Sequence, residues 1–428
     1  MVNTAYVKLW DKRIGAVVWD ENQGLAFFEY ERRFSSGKLE ISPVRMPLSD
    51  GIYGFPELRK SDTFKGLPGL LADSLPDRYG NELINGWLAR NGRPENSLNP
   101  VELLCFIGNR GMGALEFEPT ILPATGQGES LELSSLIETT KKLLESKTQF
   151  ETQTDKAMQD VMLNVLKMGT SAGGARPKAI IAYNEGTGMI RSGQILQDSG
   201  FAHWLIKFDG VNDTQFGETF GYGRVEMAYY AMAIDAGIEM AESRLIEEEG
   251  RAHFMTKRFD RVNGTEKLHM QTFCALQHYD FNNVASYSYE QLFQTMRQLR
   301  LTYAEAEQLF RRMVFNVLAR NCDDHTKNFA FLMDQEGKWS LSPAYDICHA
   351  YRPDSVWVSQ HCLSINGKRR GFERADFLAI AKQNSIRNPL GVIQEVQESV
   401  LKWADFAVKY EVNPKLIEAI DATLIKNL

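Results

Sequence analysis

The sequence predicts an α+β fold with a β-rich N-terminal region and a helical C-terminal part. Residues 1–60 contain the short runs YVKLW, GAVVW and LAFFEY, which are rich in β-branched and aromatic residues and are separated by polar turns. Residues 303–321 instead repeat apolar side chains at positions i, i+3 and i+4, the pattern of an amphipathic helix. The change of period along the chain indicates strands first and helices later.

The region after the first strands mixes both periods. A helix is predicted from Asp77 to Asn91, and the runs LLCFIG and GALEFEP predict a further pair of strands. The small, polar segment 123–130 is the best candidate for a linker. Two amphipathic helices are predicted after this linker, over residues 130–146 and 155–169.

The central part of the chain alternates strands with a helix. FAHWLIKF and FMTKRFDR predict strands, and RVEMAYYAMAIDAG between them predicts a helix. We therefore expect three consecutive domains. Their predicted bounds are residues 1–125 for a β-rich N-terminal subdomain, 126–262 for an α+β lobe and 263–428 for a helical lobe.

Composition limits the class of protein. Of the 428 residues, 43% are hydrophobic and 24% are charged, which is typical of a globular domain. The net charge of −7 argues against a protein whose main task is to grip phosphate backbones. No apolar run is long enough to span a membrane, and the first residues show no secretory signal. Five cysteines without zinc-type spacing predict reduced thiols and a cytoplasmic protein.

The stretch RNCDDHTKN, after the long predicted helix, concentrates polar side chains. Four residues separate Asp323 from Asn328, as they separate the catalytic aspartate of protein kinases from a magnesium-binding asparagine. The following runs FAFLM and WSLSP predict a hairpin that returns Asp346 to the side of Asn328. One carboxylate, one amide oxygen and the phosphates of ATP suffice for Mg²⁺. Taken alone, the spacing also arises by chance, and Asp346 also suits a turn.

Two further motifs have the chemistry that ATP phosphates require. Lys207 ends an apolar strand, and Glu226 on the next helix is its predicted partner, although each also suits a solvated surface. The segment GTSAGGARPKA combines glycines with cations, so that backbone N–H groups can approach an anion. It matches neither a Walker A loop nor GxGxxG, and a flexible turn is the alternative.

The order of these parts, from Gly-rich loop to Asp346, is the order of a bilobal protein-kinase-like fold. At this level the sequence resembles the HipA family of serine/threonine kinase toxins from bacterial type II toxin–antitoxin systems. ISPVRMPL, GLPGLLADSLPDRYGNELI and FIGNRGMGALEFEP resemble its N-terminal subdomain, and SAGGARPKA resembles its phosphate loop. HWLIKF, KRFDR, NCDDHTKNFAFL and LSPAYDI match its kinase core, which is similar in outline to phosphoinositide kinases.

The resemblance implies a role for each matching residue. Asp323 is the expected catalytic aspartate, Asn328 and Asp346 are the expected Mg²⁺ ligands, and Ser171 is the expected site of autophosphorylation that inactivates the kinase. The resemblance and the strand-to-helix pair together give the remaining ATP-binding set: Gly173, Gly174, Ala175, Arg176, Lys178, Lys207, Glu226, Lys257, Phe259, His325 and Lys327.

The resemblance also implies an activity and partners. Members of the family phosphorylate an aminoacyl-tRNA synthetase, notably glutamyl-tRNA synthetase, and a small helix-turn-helix antitoxin of the HipB type binds both kinase and operator DNA. Two other functions stay open: a kinase acting on a small molecule or lipid, and a non-catalytic regulator that binds antitoxin and DNA. A metal site at the Asp-Asp-His run 323–325 is a further alternative, but the sequence offers no additional protein ligand at suitable spacing to complete it.

Overall fold

The structure is a computed structural model, and it describes residues 2–121, 137–138, 169, 177–193, 200–210, 221–262 and 266–428. Within these residues the strands are β1 Thr4–Leu9, β2 Lys12–Asp20, β3 Leu25–Tyr30, β4 Ile52–Tyr53, β5 Leu115–Glu118, β6 Lys178–Asn184, β7 Ile190–Ser192, β8 Phe201–Lys207, β9 Ser243–Glu248, β10 Arg251–Lys257, β11 Arg261–Val262, β12 Glu266–Lys267, β13 His269–Thr272, β14 Tyr287–Ser288, β15 Ala330–Met333, β16 Trp339–Leu341 and β17 Leu363–Ser364. The helices are α1 Arg32–Ser35, α2 Gly69–Ala72, α3 Arg78–Arg90, α4 Pro100–Ile107, α5 Tyr222–Asp235, α6 Phe273–Gln277, α7 Tyr289–Gln298, α8 Tyr303–Leu318, α9 Arg374–Gln383, α10 Pro389–Leu401, α11 Trp403–Lys409 and α12 Pro414–Asp421. These elements confirm the α+β class.

The N-terminal region forms one antiparallel sheet with the strand order β4–β3–β2–β1–β5. Its strands alternate in burial because successive side chains point to opposite faces: Ala5, Val7 and Leu9 are buried, and the residues between them are not. Gly15 faces β3, where a Cβ atom would lie 2.4 Å from the carbonyl oxygen of Glu29. The three runs that predicted strands at the start of the chain are therefore confirmed.

A second sheet has the strand order β7–β6–β8–β10–β9. One face of its central strands packs on α3 and α4 and forms a core that includes Ile181, Trp204, Ile206, Phe106 and Leu83. The strands predicted from FAHWLIKF and FMTKRFDR are β8 and β10, which pair antiparallel. Apolar residues alternate on this inner face, so the strands are fixed in register by what they bury.

The run LLCFIG is part of a helix, so the strand predicted there is wrong. Asn99 caps α4: its side chain accepts a hydrogen bond from the N–H of Glu102, and the Glu102 side chain accepts one from the N–H of Asn99. Pro100 occupies the first turn, where its missing N–H costs nothing. These start signals determine the helix, and every residue of α4 is buried because it packs on all sides.

The C-terminal part is mainly helical, as predicted, and carries small sheets between its helices. β15 and β16 form the predicted hairpin, with Phe331 opposite Leu341, and β13 adds to it. α8 begins at a capping box of Thr302 and Glu305 and buries its apolar face. The last helix, α12, ends at Asp421.

The chain divides into two compact units. The first contains Met1–Ile41, Met46–Phe220 and Ile246–Met270, and the second contains Ser42–Arg45, Gly221–Leu245 and Gln271–Leu428. None of the described helices combines the length and hydrophobicity that a membrane-spanning helix requires. All five cysteines carry free thiols. The predicted linker 123–130 lies outside the described residues.

Candidate active site

The polar stretch after α8 leaves the helix through a fixed backbone turn. Just after the end of α8, Arg320 adopts the left-handed backbone conformation with a φ of 55°. Its Nε donates a hydrogen bond to the carbonyl oxygen of Thr423 at 2.8 Å. The N–H of Asn321 still bonds to the carbonyl of Asn316, whereas the N–H of Cys322 donates to Ala350 at 3.0 Å. The loop therefore starts from a tightly held position.

Asp323 and Asn328 lie together, as their spacing predicted. The Nδ2 of Asn328 donates to the carbonyl oxygen of Asp323 at 2.7 Å, and its own N–H donates to His325 at 2.9 Å. The Asp323 side chain is 47% exposed, so its carboxylate is accessible to a substrate. In the part of the chain that the structure describes, the Oδ1 of Asn328 accepts no hydrogen bond. The amide therefore presents its oxygen as a possible ligand.

The hairpin β15–β16 returns the chain to this loop. The hydroxyl of Tyr345 donates to the carbonyl oxygen of Lys327 at 2.6 Å. Tyr345 and Ile347, on either side of Asp346, line the same small polar cavity as Asn328. The cavity has room for about one water molecule. Asp346 itself is exposed and has a φ of 55°, a conformation that Asp adopts more readily than most residues.

His325 and Lys327 gather around an aromatic ring that the sequence did not single out. The ring of Phe281 lies 5.2 Å from the ring of His325, and the Nζ of Lys327 lies 4.8 Å from the Phe281 centroid. That distance is within the range of a cation–π contact. The Nε2 of His325 is 3.9 Å from the Oδ1 of Asp323. Both predicted residues therefore border the loop in the second unit.

Asp324, next to Asp323, points into the protein interior. Its Oδ2 accepts from the hydroxyl of Tyr289 at 2.8 Å and lies 2.9 Å from the Nδ1 of His361, and its Oδ1 accepts from the N–H groups of Cys362 at 2.7 Å and Leu363 at 3.5 Å. A buried charge needs such partners. Asp324 is therefore turned away from a joint metal site with Asp323 and His325, and the described residues contain no cluster of three His, Cys, Asp or Glu side chains that could hold a metal.

His361 is the cation of this buried group. Burial by itself lowers the pKa of His361, but the adjacent Asp324 carboxylate outweighs that effect and raises the pKa to about 10. Its Nε2 lies 3.6 Å from the Sγ of Cys322, and its side chain is 1% exposed. The sequence contained one signal for a residue such as His361. Asp324 directly follows Asp323, and a buried carboxylate at that position requires a hydrogen-bonding or cationic partner.

Lys207 and Lys178 lie on neighbouring strands of the first unit. They face one another in the β6–β8 register, and Phe254 on β10 is opposite Lys207. The Nζ of Lys207 is 5.8 Å from the Phe254 ring centroid. Lys178 is almost fully buried, and its Nζ lies 2.5 Å from the Oδ2 of Asp77. Asp77 also caps α3, so Lys178 is joined to the start of that helix.

Lys257 and Phe259 flank a buried ionic cluster. Lys257 is exposed at the end of β10 and Phe259 is half-buried, while the Asp260 carboxylate between Arg258 and Arg261 is fully buried. Arg258 Nη2 donates to Asp260 Oδ2 at 2.6 Å, and Arg261 Nη1 donates to it at 2.8 Å. We call Arg258, Asp260 and Arg261 the Asp260 cluster.

The Asp260 cluster binds the loop before β5. Arg258 and Arg261 each donate to the carbonyl oxygen of Gly111 at 3.1 Å, and the N–H of Gly113 donates to Asp260 at 2.6 Å. Gly113 has a φ of +74°, which favours glycine. The KRFDR and FIGNRGMGALEFEP motifs thus contact one another, and this contact gives both a structural role.

The remaining predicted residues are placed as follows. Glu226 is buried on α5 in the second unit, whereas Lys207 belongs to the first, so their pairing remains a prediction. The phosphate-loop residues fall outside the described residues: Ser171, Gly173, Gly174, Ala175 and Arg176.

Comparison with known proteins identifies the family of the chain. Two family models match the chain: HipA N-terminal domain over residues 5–118 and HipA-like C-terminal domain over residues 170–404. No curated protein matches it significantly.

Solved structures provide a second comparison. HipA from the Shewanella oneidensis MR-1 toxin–antitoxin system, solved with HipB and its operator DNA, matches with a TM-score of 0.66 and 16% identity over 98% of this chain and 96% of that chain. The Helicobacter pylori proinflammatory kinase CtkA matches with a TM-score of 0.34 and 14% identity over 52% of this chain and 88% of that chain. The Shewanella structure supports a shared fold, and the C-terminal family model alone covers more than half of the chain. The chain therefore belongs to the HipA family.

Proposed function

We propose that the chain is the serine/threonine protein kinase of a toxin–antitoxin system and transfers the γ-phosphate of ATP to a serine of a translation protein. The observation that carries the proposal is the loop of Asp323 and Asn328, joined by a 2.7 Å hydrogen bond beside the segment that bears Asp346. An accessible carboxylate, an amide oxygen and a second carboxylate make up the acidic half of a phosphoryl-transfer site.

The donor set of this loop fits a magnesium ion. Mg²⁺ prefers hard oxygen ligands and retains several waters, so one amide oxygen and one carboxylate from the protein are sufficient. The Oδ1 of Asn328 and the exposed carboxylate of Asp346 would hold the ion. When bound, ATP would supply the phosphoryl group and Mg²⁺ would neutralise its negative charge. Asp323 would orient the substrate hydroxyl and accept its proton.

We propose the remaining predicted residues as contacts of the nucleotide. Lys207 would contact the phosphates with Glu226 as its partner, the backbones of Lys257 and Phe259 would meet the adenine, and the loop of Gly173, Gly174, Ala175 and Arg176 would cover the phosphates. His325 and Lys327 would add contacts near the nucleotide. Lys178, whose Nζ lies 2.5 Å from the Oδ2 of Asp77, would belong to the same ATP-binding set.

We also propose regulation and partners on the basis of family membership. Phosphate on Ser171 would add nearly two negative charges to the loop and expel it from the ATP site, which would inactivate the kinase. A helix-turn-helix antitoxin of the HipB type would bind the chain and link it to operator DNA, since the Shewanella oneidensis HipA forms a complex with HipB and its operator. The proposed protein substrate is glutamyl-tRNA synthetase or another aminoacyl-tRNA synthetase. The proposed domains are residues 1–125, 126–262 and 263–428, and the proposed location is the cytoplasm.

The test is incubation of the purified chain with γ-labelled ATP and Mg²⁺, alone and with bacterial lysate. We expect label on the chain itself at Ser171 and on a protein of the size of a synthetase. Asp323→Asn and Asp346→Asn should lower the rate by about 10²–10³ each, because each removes preorganised charge from the site. Asp354→Asn is the matched control, since that carboxylate is 85% exposed and serves no proposed role.

The outcomes separate the alternatives. Label on a small solute or lipid instead of a protein would favour a small-molecule kinase. No transfer by wild-type protein to any acceptor, with intact binding of antitoxin, would favour a non-catalytic regulator. Transfer that is equally fast in Asp323→Asn would contradict the role given to Asp323.

A further inference from the structure

The carboxylate of Asp324 connects three separated segments of the second unit. It binds the hydroxyl of Tyr289 at the start of α7, the ring of His361, and the backbone N–H groups of Cys362 and Leu363 at β17. Asp324 and His361 are 0% and 1% exposed. The catalytic loop is therefore tied to distant parts of the chain through one side chain.

The network extends to the two residues that precede Asp323. The N–H of Cys362 donates to the carbonyl oxygen of Cys322 at 3.3 Å. The Nδ2 of Asn321 donates to the Oδ1 of Asn316 at 3.0 Å, and the Nδ2 of Asn316 donates to the hydroxyl of Tyr289 at 3.0 Å. The same hydroxyl then donates to Asp324. A closed set of hydrogen bonds thus surrounds the backbone immediately before Asp324.

The position of Asp324 in the chain makes this anchoring relevant to the active site. The carbonyl oxygen that accepts from Asn328 belongs to Asp323, and this carbonyl is part of the peptide group that joins Asp323 to Asp324. Because a peptide group is planar, fixing Asp324 from inside fixes the direction of that carbonyl. It thereby sets the orientation of Asn328 relative to Asp323.

We propose that Asp324, held by His361 and Tyr289, is the positioning residue that keeps Asp323 and Asn328 at their working separation. This inference rests on the kinase function proposed above. Misplacing a reacting group by about 1 Å costs about 10²-fold in rate, so an anchor of this kind has a large effect on turnover.

Stability alone is a poor explanation for this arrangement. A buried ion pair is often no more stabilising than apolar side chains of the same volume. Asp324 also lines the small cavity that Asn328 and Tyr345 line, so it lies directly behind the loop. Because removing one partner of a buried pair also costs stability, the effect on chemistry has to be measured per folded molecule.

The test compares Asp324→Asn with Asp376→Asn in the full chain. Asp376 is a matched control because it is also buried and accepts from Asn366, Lys368 and the N–H of Glu373 at 2.8–2.9 Å, but it belongs to the cap of α9. At equal folded fraction we expect kcat of Asp324→Asn to fall by about 10²-fold with little change in KM for ATP. Asp376→Asn should keep the wild-type kcat per folded molecule.

Tyr289→Phe provides a second variant if Asp324→Asn does not fold. It removes one hydrogen bond to Asp324 and retains the ring, so kcat should fall in the same direction but by less. Equal kcat in either folded variant and in Asp376→Asn would overturn the proposal. Crystal structures give a readout independent of activity: we expect the Asn328–Asp323 hydrogen bond to be lost in Asp324→Asn, and an unchanged loop would also overturn the proposal. An inactive wild-type protein would instead contradict the kinase function.

Discussion

The carboxamide of Asn328 has two tasks at once, because its nitrogen donates to Asp323 and its oxygen remains available to a metal. Asn328→Asp has two oxygens in place of one but loses the N–H donor, and a carboxylate oxygen would repel the carbonyl of Asp323. Asn328→Ala loses both functions. We expect the rate to fall by about 10²–10³ in Asn328→Ala, with Asn328→Asp between this variant and wild type.

Initial rates at increasing Mg²⁺ concentration check this prediction. The initial rate of Asn328→Asp should reach a plateau at high Mg²⁺ concentration, because this variant still offers oxygen ligands. Asn328→Ala should need a higher Mg²⁺ concentration than wild type to reach half of its maximal rate. The melting temperatures should match wild type, since the loop is half-exposed. Wild-type Mg²⁺ dependence in Asn328→Ala would show that this side chain is not a ligand.

Residues close in sequence were within reach of prediction, and residues joined only by folding were not. Asp323 and Asn328 share one short loop, and Asp346 returns on a hairpin whose polar turn is visible in the sequence. Tyr289 and His361 lie 35 and 37 positions from Asp324, and no periodicity connects them to it. Only burial of the Asp324 carboxylate makes their contact necessary.

At the scale of the element, α4 shows how start signals outweigh composition. Its run LLCFIG suits a buried strand, but the capping box of Asn99 and Glu102 satisfies the free N–H groups of a helix. We predict that Asn99→Ala lowers the free energy of unfolding by about 1 kcal/mol. Denaturant unfolding measures the change, and Asn22→Ala, in an exposed turn, is the control.

The Asp260 cluster is an element-scale contact of a different kind, since it joins the end of β10 to the loop before β5. Burial by itself raises the pKa of the Asp260 carboxyl, but the adjacent Arg258 and Arg261 have a larger effect in the opposite direction. The net pKa is therefore lowered, and the group remains charged. Asp260→Ala would leave two buried guanidinium groups without their carboxylate. We predict a loss of about 3–5 kcal/mol in unfolding free energy.

The matched control for Asp260→Ala is Glu118→Ala. Glu118 pairs with Lys8 at 3.1 Å, but its side chain is 52% exposed, so its loss should cost about 1 kcal/mol or less. Equal destabilisation by the two substitutions in denaturant unfolding would contradict the role of the cluster.

At the scale of the whole molecule, periodicity predicts elements but not which of them pack together. The segment Gly221–Leu245 belongs to the second compact unit, whereas Ile246–Met270, which follows directly, belongs to the first. Long-range contacts such as those of Gly111 with Arg258 decide this membership. The α+β class could therefore be predicted from the sequence, but the assignment of segments to units could not.

Histidines in the protein interior make the stability of the whole molecule depend on pH. Three of them have lowered pKa values and therefore all reduce stability as the solution becomes more acidic. Burial lowers the pKa of His269 and His349 to about 4 and that of His278 to about 3. An unfolded chain takes up these protons near pH 6.5, whereas the folded chain does not. Stability should therefore fall as the pH decreases from about 6.5 towards 4.

His361 acts in the opposite direction on the alkaline side. Its folded pKa of about 10 means that the native protein retains a proton that the unfolded chain releases above about pH 6.5. The stabilisation is complete below pH 6.5 and is lost as the pH rises through 10, with a slope of about 1.4 kcal/mol per pH unit for one proton. These two trends together predict a maximum of stability near pH 6.5.

Denaturant unfolding at pH 5, 6.5 and 9 tests this maximum, and two variants assign its sides. Asp324→Asn removes the carboxylate that holds the His361 proton, so it should flatten the decrease between pH 6.5 and 9 while leaving the acid side intact. His269→Gln keeps a donor for the carbonyl oxygen of Ile41 but cannot titrate, so it should reduce the acid slope alone. If wild-type stability continued to rise from pH 6.5 to 9, His361 could not hold its proton in the folded state, and the buried Asp324–His361 pair would not be ionic.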